Sequence, residues 1–289
     1  YDISQEHLTV PGTIEGLPVT AFSAMTNLFV TETSLVSVTL PDSITVLGTY
    51  AFANCKKLTS VTLPKNLEEI GDGAFSSCVS LREISLPGTL RVIGVSAFME
   101  CGLQTAILPE GLKEIRDYAF YYCTQLNGVT LPESLQVLGG GAFSLCSSLE
   151  KINIPAGIAA VSPNLLQGDT ALREVTIQGD ITSVGDWAFY SCTALQGLSL
   201  PASVASIGEY AFYACSGLDR LTLPANLTDL GNAALASCAQ LKTLAIPEGV
   251  TELSEGLLMG CKRLAKIALP ASLTKIGPSA FDGCATLST

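Results

Sequence analysis

The apolar residues of the chain recur at fixed positions in a unit of 23 residues. One unit starts at Leu58, reads L-T-S-V-T-L-P-K-N-L-E-E-I-G-D-G-A-F-S-S-C-V-S, and is followed by Leu81 at the start of the next. With Leu58 as position 1, apolar residues occupy positions 1, 4, 6, 10, 13, 17, 18 and 21. A fixed period of roughly 20–50 residues is typical of solenoids and other repeat proteins.

Two residue types mark the period along most of the chain. Position 7 holds a proline in most units: Pro41, Pro64, Pro87, Pro109, Pro132, Pro155, Pro201, Pro224, Pro247 and Pro270. Position 21 holds all ten cysteines: Cys55, Cys78, Cys101, Cys123, Cys146, Cys192, Cys215, Cys238, Cys261 and Cys284. The proline series skips Gln178 and the cysteine series skips Asp169, and the period continues through both departures. We expect Asp169 either to turn outward or to mark a local distortion.

The first half of each unit predicts a strand. Positions 4 to 6, such as 61–63, alternate between inward apolar and outward polar side chains, as a strand does. Pro64 then ends the ladder, because proline has no N–H to donate. Leu67 and Ile70 are three residues apart, which fits either a wide bend or a short second strand with a bulge.

The second half of each unit predicts a bend and a short turn. Position 14 is usually glycine, as at Gly71, which indicates a tight bend. Arg116 fills the same position in another unit, so we do not expect a positive φ angle to be required there. Ala74, Phe75 and Cys78 have the spacing of one short helical turn that faces inward.

One such coil cannot bury its apolar face alone, whereas stacked coils bury a continuous core. We therefore predict an α/β solenoid of about twelve coils, with parallel strands on one face and short helical turns on the other. We expect a single domain over 1–289. It comprises an N-terminal coil with a seven-residue insert in 1–34, eleven regular repeats in 35–286, and the start of a truncated repeat in 287–289.

The N-terminal coil fits the pattern less regularly than the others. It runs from Gln5 to Asn27, with Ile14 and Leu17 in inward apolar slots and Met25 in the cysteine slot. The seven extra residues are expected at 28–34. Irregular end units are expected in a solenoid, because a terminal repeat must cover the open core.

The unit L-x-x-[VI]-x-L-P-x-x-[LVI]-x-x-[IL]-G-x-x-A-F-x-x-C-x-x resembles that of the BspA-like, or treponema-type, leucine-rich repeat family. The resemblance covers 5–289. It implies a leucine-rich-repeat solenoid from a secreted or surface-attached bacterial protein, and some members of the family adhere to host matrix proteins or to other bacteria. The family has no shared catalytic residues to carry over. The units 149–171 and 241–263 depart from the motif, with Leu-Leu in place of Ala-Phe.

Composition narrows the possible partners. The 289 residues are 48% hydrophobic and 14% charged, which argues against disorder. The formal net charge of −11 argues against nucleic acid or an anionic membrane as the main partner. No apolar run approaches the roughly 18–20 residues of a membrane span. Because the sequence opens at Tyr1 with no signal peptide, we expect an excised or processed segment, and an extracellular or cell-surface location rests on the resemblance.

The ten cysteines allow three interpretations. A zinc site needs ligands at short spacing, whereas the shortest separation here is the 22 residues from Cys101 to Cys123. Stacked coils would place successive thiols about 5 Å apart, near disulfide distance. Their Cα–Cβ vectors would be nearly parallel, however, and a disulfide needs a dihedral angle of about 90°. The pattern favours free buried thiols over disulfides, and disulfides over a metal site; no cofactor is expected.

The sequence offers little material for catalysis. His7 is the one histidine, so a Ser-His-Asp or Cys-His arrangement has at most one base. Glu68, Glu69 and Glu114 lie at bends, where solvated carboxylates are common. The glycine run 139–141 lacks the Lys-Ser/Thr of a phosphate loop. We expect no catalytic residue, and hence no enzyme.

Candidate ligand-binding residues lie on two faces. On the strand face, position 3 carries charge and position 5 is mostly Thr or Ser; the charged residues are Glu83, Lys151, Glu174, Arg220 and Lys266. On the opposite side, positions 16 and 19 of adjacent coils carry an aromatic group made of Trp187, Tyr190, Tyr210 and Tyr213. An exposed patch of this kind can contact a carbohydrate or a protein. The alternative is that the strand face is only a solvated sheet and that each tyrosine merely packs over its neighbour.

These observations support two functional hypotheses. The first is a non-enzymatic binding module that attaches to host or microbial macromolecules, with a protein or glycan ligand such as extracellular matrix or mucin. The second is a structural spacer that presents other domains of a longer surface protein. Neither hypothesis involves nucleic acid or a membrane span in this segment.

Overall fold

The computed structural model describes residues 6–22 and 34–288, which fall into two compact units, Tyr1–Cys146 and Ser147–Thr289. Each unit is a β-solenoid of stacked coils with parallel strands, and no helix occurs within the described ranges. The expected single domain over 1–289 stays a prediction. Met25 and all but the last residue of the expected insert at 28–34 lie outside the described residues.

The first unit contains thirteen short strands. They are β1 (His7–Thr9), β2 (Thr13–Ile14), β3 (Leu17–Pro18), β4 (Ala21–Phe22), β5 (Ser37–Thr39), β6 (Val46–Leu47), β7 (Ser60–Thr62), β8 (Glu69–Ile70), β9 (Val92–Ile93), β10 (Thr105–Ile107), β11 (Glu114–Ile115), β12 (Gly128–Thr130) and β13 (Val137–Leu138). Strands at positions 3 to 5 form the sheets β1-β5-β7 and β10-β12. Strands at positions 12 and 13 form the sheet β4-β6-β8-β9-β11-β13. This part of the unit, for which the sequence allowed either a wide bend or a short second strand, therefore contains a second strand.

The second unit repeats this arrangement with eleven strands. They are β14 (Lys151–Ile154), β15 (Glu174–Ile177), β16 (Ser183–Val184), β17 (Gly197–Ser199), β18 (Ser206–Ile207), β19 (Arg220–Thr222), β20 (Asp229–Leu230), β21 (Thr243–Ala245), β22 (Glu252–Leu253), β23 (Lys266–Ala268) and β24 (Lys275–Ile276). The strand face is made of three separate pairs, β14-β15, β17-β19 and β21-β23. The second ladder contains β16-β18-β20 and β22-β24.

The sequence period sets the register of both ladders. Ser60 pairs with Ser37 and Glu174 pairs with Lys151, each one period apart. Because the parallel pairings from β5 onward join equivalent positions, the inward side chains form columns along each unit. Leucines at position 1, such as Leu58 and Leu195, are fully buried. These columns make the core of each unit, as the apolar pattern predicts.

Phenylalanine at position 18 forms the largest column of the core. In the first unit, the rings of Phe52, Phe75, Phe98, Phe120 and Phe143 stack in sequence with centroid distances of 5.1–5.6 Å. In the second unit, the rings of Phe189 and Phe212 stack at 5.0 Å. All seven side chains are fully buried, so replacing one by alanine is expected to cost about 3–5 kcal/mol.

The first coil contains a β-hairpin that the repeat pattern did not indicate. Strands β2 and β3 pair antiparallel, and the turn residues Glu15 and Gly16 have φ angles of 52° and 80°, the left-handed geometry of a tight hairpin turn. Ile14 and Leu17 are 49% and 71% exposed, so the inward slots predicted for them are wrong. They match the repeat by spacing alone, because the hairpin carries them out of the coil.

The strand register also shows that most of the seven extra residues lie earlier in the chain than the expected insert at 28–34. His7 pairs with Ser37, 30 residues on, which is seven more than the period. Fourteen residues lead from His7 to Ala21, whereas nine lead from Ser37 to Val46, the partner of Ala21. Five of the seven extra residues therefore belong to the hairpin side of the coil and not to 28–34.

The Ala-Phe-x-x-Cys segment is a series of hydrogen-bonded turns, and the short helical turns predicted for it are not formed within the described ranges. Positions 16 and 20 have positive φ angles, for example 61° at Gly73 and 59° at Ser77, which interrupt a right-handed helix. The N–H of Phe75 donates to the carbonyl oxygen of Ala97 in the next coil at 2.7 Å. Bonds between coils thus replace the bonds within a helix.

A positive φ angle is not required at position 14, as expected, and glycine there fits a tight space between coils. A Cβ atom on Gly71 would lie 2.7 Å from the carbonyl oxygen of Leu47. The shortened coil uses glycine in the same way. Gly102 alone joins Cys101 to Leu103, and a Cβ atom on Gly102 would lie 2.2 Å from the carbonyl oxygen of Val79.

Candidate functional site

The charged residues predicted on the strand face all have exposed side chains, and they fall into three places. Glu83 lies in the first unit, in a coil segment where the structure assigns no strand. Lys151 and Glu174 are Cα partners in β14 and β15. Arg220 and Lys266 lie in β19 and β23, with Thr243 of β21 at the same position between them. The sequence prediction of mixed charge therefore corresponds to local groups of different sign.

Two open depressions lie on the strand faces, one in each unit. The first has a volume of about 490 Å³ and lies over the coil of Glu83, between β7 and β10. Ile107 on its border is 82% exposed. The second has a volume of about 540 Å³ and lies over β19, β21 and β23. Both depressions occur where neighbouring strands of the face are not paired.

The predicted aromatic group forms a compact block in the second unit. Trp187 stacks on Tyr210 at a centroid distance of 4.5 Å, and Tyr190 stacks on Tyr213 at 5.1 Å. Within each coil, Trp187 lies 4.8 Å from Tyr190, and Tyr210 lies 5.6 Å from Tyr213. Each ring therefore has one face covered by its neighbour, and all four side chains are half-buried.

This geometry fits mutual packing better than an open platform. A sugar ring stacks on a free aromatic face, whereas here the rings use their faces on one another. Trp187 and Tyr210 also have φ angles of 60° and 55°, a conformation that is uncommon for bulky residues. The stack supplies a structural reason for holding them there. The aromatic block stays a candidate contact, but the strand face is the more accessible surface.

The cysteines form columns of free thiols, all buried except the half-buried Cys284. From Cys78 onward, each Sγ donates to the carbonyl oxygen at position 18 of the preceding coil, as Cys215 does to Phe189 at 3.0 Å. Burial raises the pKa of Cys123 and of Cys261 to about 12, so both thiols stay neutral at physiological pH. No group of three or more His, Cys, Asp or Glu residues suited to a metal ion occurs in the part of the chain that the structure describes.

Asp169 occupies the cysteine slot without turning outward. Its side chain is fully buried, and its N–H donates to the carbonyl oxygen of Leu166 at 3.3 Å, as the cysteine N–H does in other coils. The backbone is therefore regular at this point, and the expected outward turn or distortion is wrong. The carboxyl group also contributes to raising the pKa of the Cys192 thiol, after the larger effects of burial and of Cys215.

The one histidine lies on the strand side of the first coil. His7 Nδ1 is 2.8 Å from Ser37 Oγ in an exposed pair. Among the described residues, no carboxylate is bonded to His7, so the pair does not form the Ser-His-Asp geometry. Within 6–22 and 34–288, no helix is long and apolar enough to cross a membrane.

The chain matches a protein-family model. The family model described as "BspA type Leucine rich repeat region (6 copies)" matches residues 25–102, 49–173, 92–196 and 161–288. Comparison with curated proteins gives no match.

Solved structures with the same fold come from several bacteria. A leucine-rich repeat protein from Bacteroides ovatus is 27% identical with a TM-score of 0.68, and the alignment covers 98% of this chain and 85% of that chain. A leucine-rich cell surface protein from Faecalibacterium prausnitzii is 29% identical with a TM-score of 0.61, over 99% of this chain and 87% of that chain. A pneumococcal vaccine antigen is 23% identical with a TM-score of 0.60, over 96% of this chain and 78% of that chain, and shows the fold alone.

Proposed function

This chain belongs to the BspA-type leucine-rich repeat family, and from that premise we propose that it is a non-enzymatic binding module of a secreted or cell-surface bacterial protein. Its role is adhesion to host or microbial macromolecules. The cell-surface location finds support in the Faecalibacterium prausnitzii protein, which is described as a leucine-rich cell surface protein. Leucine-rich repeats are in general an interaction fold, and their extended faces are used for binding.

The observation that carries this proposal is the exposed strand face. Its outward side chains alternate with a buried apolar row, so the ladder fixes their spacing at roughly 4.8 Å from coil to coil. Thr130, Thr176 and Ser199 present hydroxyl groups, and Lys151 and Glu174 add charge. A face whose backbone is already ordered loses little backbone entropy when it binds a partner.

A solid-phase binding screen tests this function. The purified chain is applied to immobilised fibronectin, fibrinogen, collagen and mucin and to a glycan array. A Lys151→Ala/Glu174→Ala variant tests the strand face, and a Trp187→Ala/Tyr210→Ala variant tests the aromatic block. We expect saturable binding that the strand-face variant weakens and that the aromatic variant retains.

The other outcomes are also informative. Binding lost only in the aromatic variant would move the site to that block. If no immobilised macromolecule retains the folded chain, the adhesion proposal fails and the spacer hypothesis takes its place. Circular dichroism of each variant separates loss of binding from loss of folding.

A further inference from the structure

The strand side of the last three coils carries a concentration of cations. Together they form the basic patch: Arg220, Lys242, Lys262, Arg263 and Lys266. All five side chains are exposed. They are one third of the 15 Lys and Arg residues in a chain whose formal net charge is −11. Positive charge is therefore concentrated locally against the acidic balance of the whole chain.

The backbone brings these residues together. Lys242 and Thr243 lie one coil below Ala265 and Lys266, and the N–H of Ala265 donates to the carbonyl oxygen of Lys242 at 2.9 Å. Lys262 and Arg263 precede the same strand, β23, with Leu264 and Ala265 between. Arg220 occupies position 3 of the coil before, in the same outward row as Lys266. The five charges thus occupy neighbouring positions of three successive coils.

Most of this charge has no counter-ion among the residues that the structure describes. Arg220 Nε lies 3.2 Å from Asp219 Oδ1, whereas Arg263 Nη1 donates to the neutral amide oxygen of Gln240 at 2.6 Å. Lys242, Lys262 and Lys266 form no ion pair with any residue that the structure describes. Like charges held close together favour an anionic partner that neutralises them.

The basic patch borders the larger depression, which is apolar at its base. Its lining combines Lys266 and four threonine or alanine residues with buried leucines and the half-buried Ile267. At position 5, where most other coils carry Thr or Ser, the coils of β21 and β23 carry Ala245 and Ala268, both exposed. No aromatic ring lines it. The depression therefore combines apolar side chains with the ammonium group of Lys266, and Arg220 and Lys242 directly precede its lining residues Leu221 and Thr243.

We infer that this surface binds an acidic, extended segment of a partner protein, with one apolar side chain seated in the depression and carboxylates on the basic patch. The inference rests on the proposed function, because it assigns a ligand class to the same strand face. A sulfated glycan would match the cations but has no apolar group for the alanine and leucine base, and the depression lacks the aromatic ring on which a sugar stacks. The acidic peptide matches both features.

Fluorescence anisotropy with synthetic peptides tests the inference. The probe is a short, labelled peptide of Asp and Glu with one central leucine. A second peptide carries serine in place of that leucine, and unlabelled heparin serves as a competitor. The variants are Lys242→Glu/Lys266→Glu in the patch and Ala245→Tyr in the depression. Lys56→Glu/Lys57→Glu is the matched control, since it reverses two exposed lysines in the first unit.

We expect saturable binding of the leucine peptide that weakens as salt rises, because exposed charges are screened within about 8 Å at physiological ionic strength. The patch variant and the serine peptide should each weaken binding about tenfold or more, Ala245→Tyr should block it, and the control variant should bind normally. The inference would be overturned if the patch variant bound the leucine peptide as tightly as the parent chain does. It would also be overturned if heparin bound tightly and the peptide did not bind. Retained binding in the matrix screen would then show that the proposed function itself survives.

Discussion

Cys78 donates its thiol hydrogen to the carbonyl oxygen of Phe52 in the preceding coil, across a distance of 3.1 Å. The same relationship links each later cysteine to position 18 of the coil before it, with Sγ–O distances of 3.0–3.2 Å. A disulfide would require both thiols to leave these carbonyl groups. The cysteine column is therefore a hydrogen-bonded structural element.

Thiol reactivity checks this arrangement. In the native chain, we expect a disulfide reagent such as Ellman's reagent to modify Cys284 first, because it is the half-buried member of the ten. The other nine should react only as the protein unfolds, since they are buried. In guanidinium chloride, all ten thiols should react. A count of eight or fewer in the unfolded chain would instead reveal a disulfide.

Alkaline pH should destabilise the chain through the same thiols. The folded pKa of Cys123 and of Cys261 is about 12, above the roughly 8.5 of an unfolded cysteine. The folded state therefore holds protons that the unfolded state releases, and stability is fully present below pH about 8.5 and is lost as pH rises toward 12. The melting temperature should fall across this window.

The matched variant for this prediction is Cys123→Ala/Cys261→Ala. All other side chains are the same in the two proteins, so the comparison isolates the two thiols. Between pH 8 and 11 the variant should lose less stability than the parent chain. Parallel losses in the two proteins would mean that the thiols do not contribute to the alkaline transition.

Gly141→Ala should be strongly destabilising. Gly141 has a φ angle of 60°, and an added Cβ atom would lie 2.5 Å from the ring of Tyr118 in the preceding coil. Left-handed backbone costs a residue with a Cβ atom roughly 1–2 kcal/mol, and displacing the ring adds to this. Chemical denaturation should show a loss of at least that size. Gly128→Ala is the control, because an added Cβ atom there has nothing within 4 Å.

Replacing Asp169 by the residue of its repeat slot should stabilise the chain. A buried carboxyl group loses its hydration, whereas cysteine is a small side chain well suited to burial. We expect Asp169→Cys to raise the free energy of unfolding by about 1–3 kcal/mol near neutral pH. Asp169→Asn, which keeps the shape but not the acid, should gain less. Destabilisation by Asp169→Cys would indicate that the carboxyl group has a structural role of its own.

The repeat pattern predicted most of the fold because each inward residue independently indicates the same strand register. Leu58, Leu67, Phe75 and Cys78 all became core residues. The hairpin in the first coil was missed because Ile14 and Leu17 have the right spacing without the right surroundings. Spacing shows where an apolar residue can face inward, but not whether an added turn removes it from the coil.

The turn segment was predicted as helical because periodicity cannot detect the sign of φ. Tyr118 and Leu145 adopt positive φ angles although their side chains do not favour them. The bonds to the next coil impose this conformation. One signal was present in the sequence: glycine or asparagine occupies position 16 or 20 in several coils, as at Gly73, Gly168 and Asn54.

The candidate site was only partly predictable. Arg220 and Lys266 follow from their outward slots in the repeat. The basic patch also contains Lys242, Lys262 and Arg263, which occupy positions outside the two outward slots of the strand. The depression beside them arises from unpaired strands and two alanines. The pairing of neighbouring coils depends on small backbone shifts that the sequence does not encode simply.

The shortened coil indicates where the number of residues in the chain can be changed. With one residue fewer between Cys101 and Leu103, the rings of Phe98 and Phe120 still stack at 5.3 Å on either side. The connector after each cysteine therefore absorbs a change of length without disturbing the column of rings. The same connector is the natural point at which to graft a foreign epitope or a labelling tag, and coils duplicated or removed as whole units would rejoin there in register.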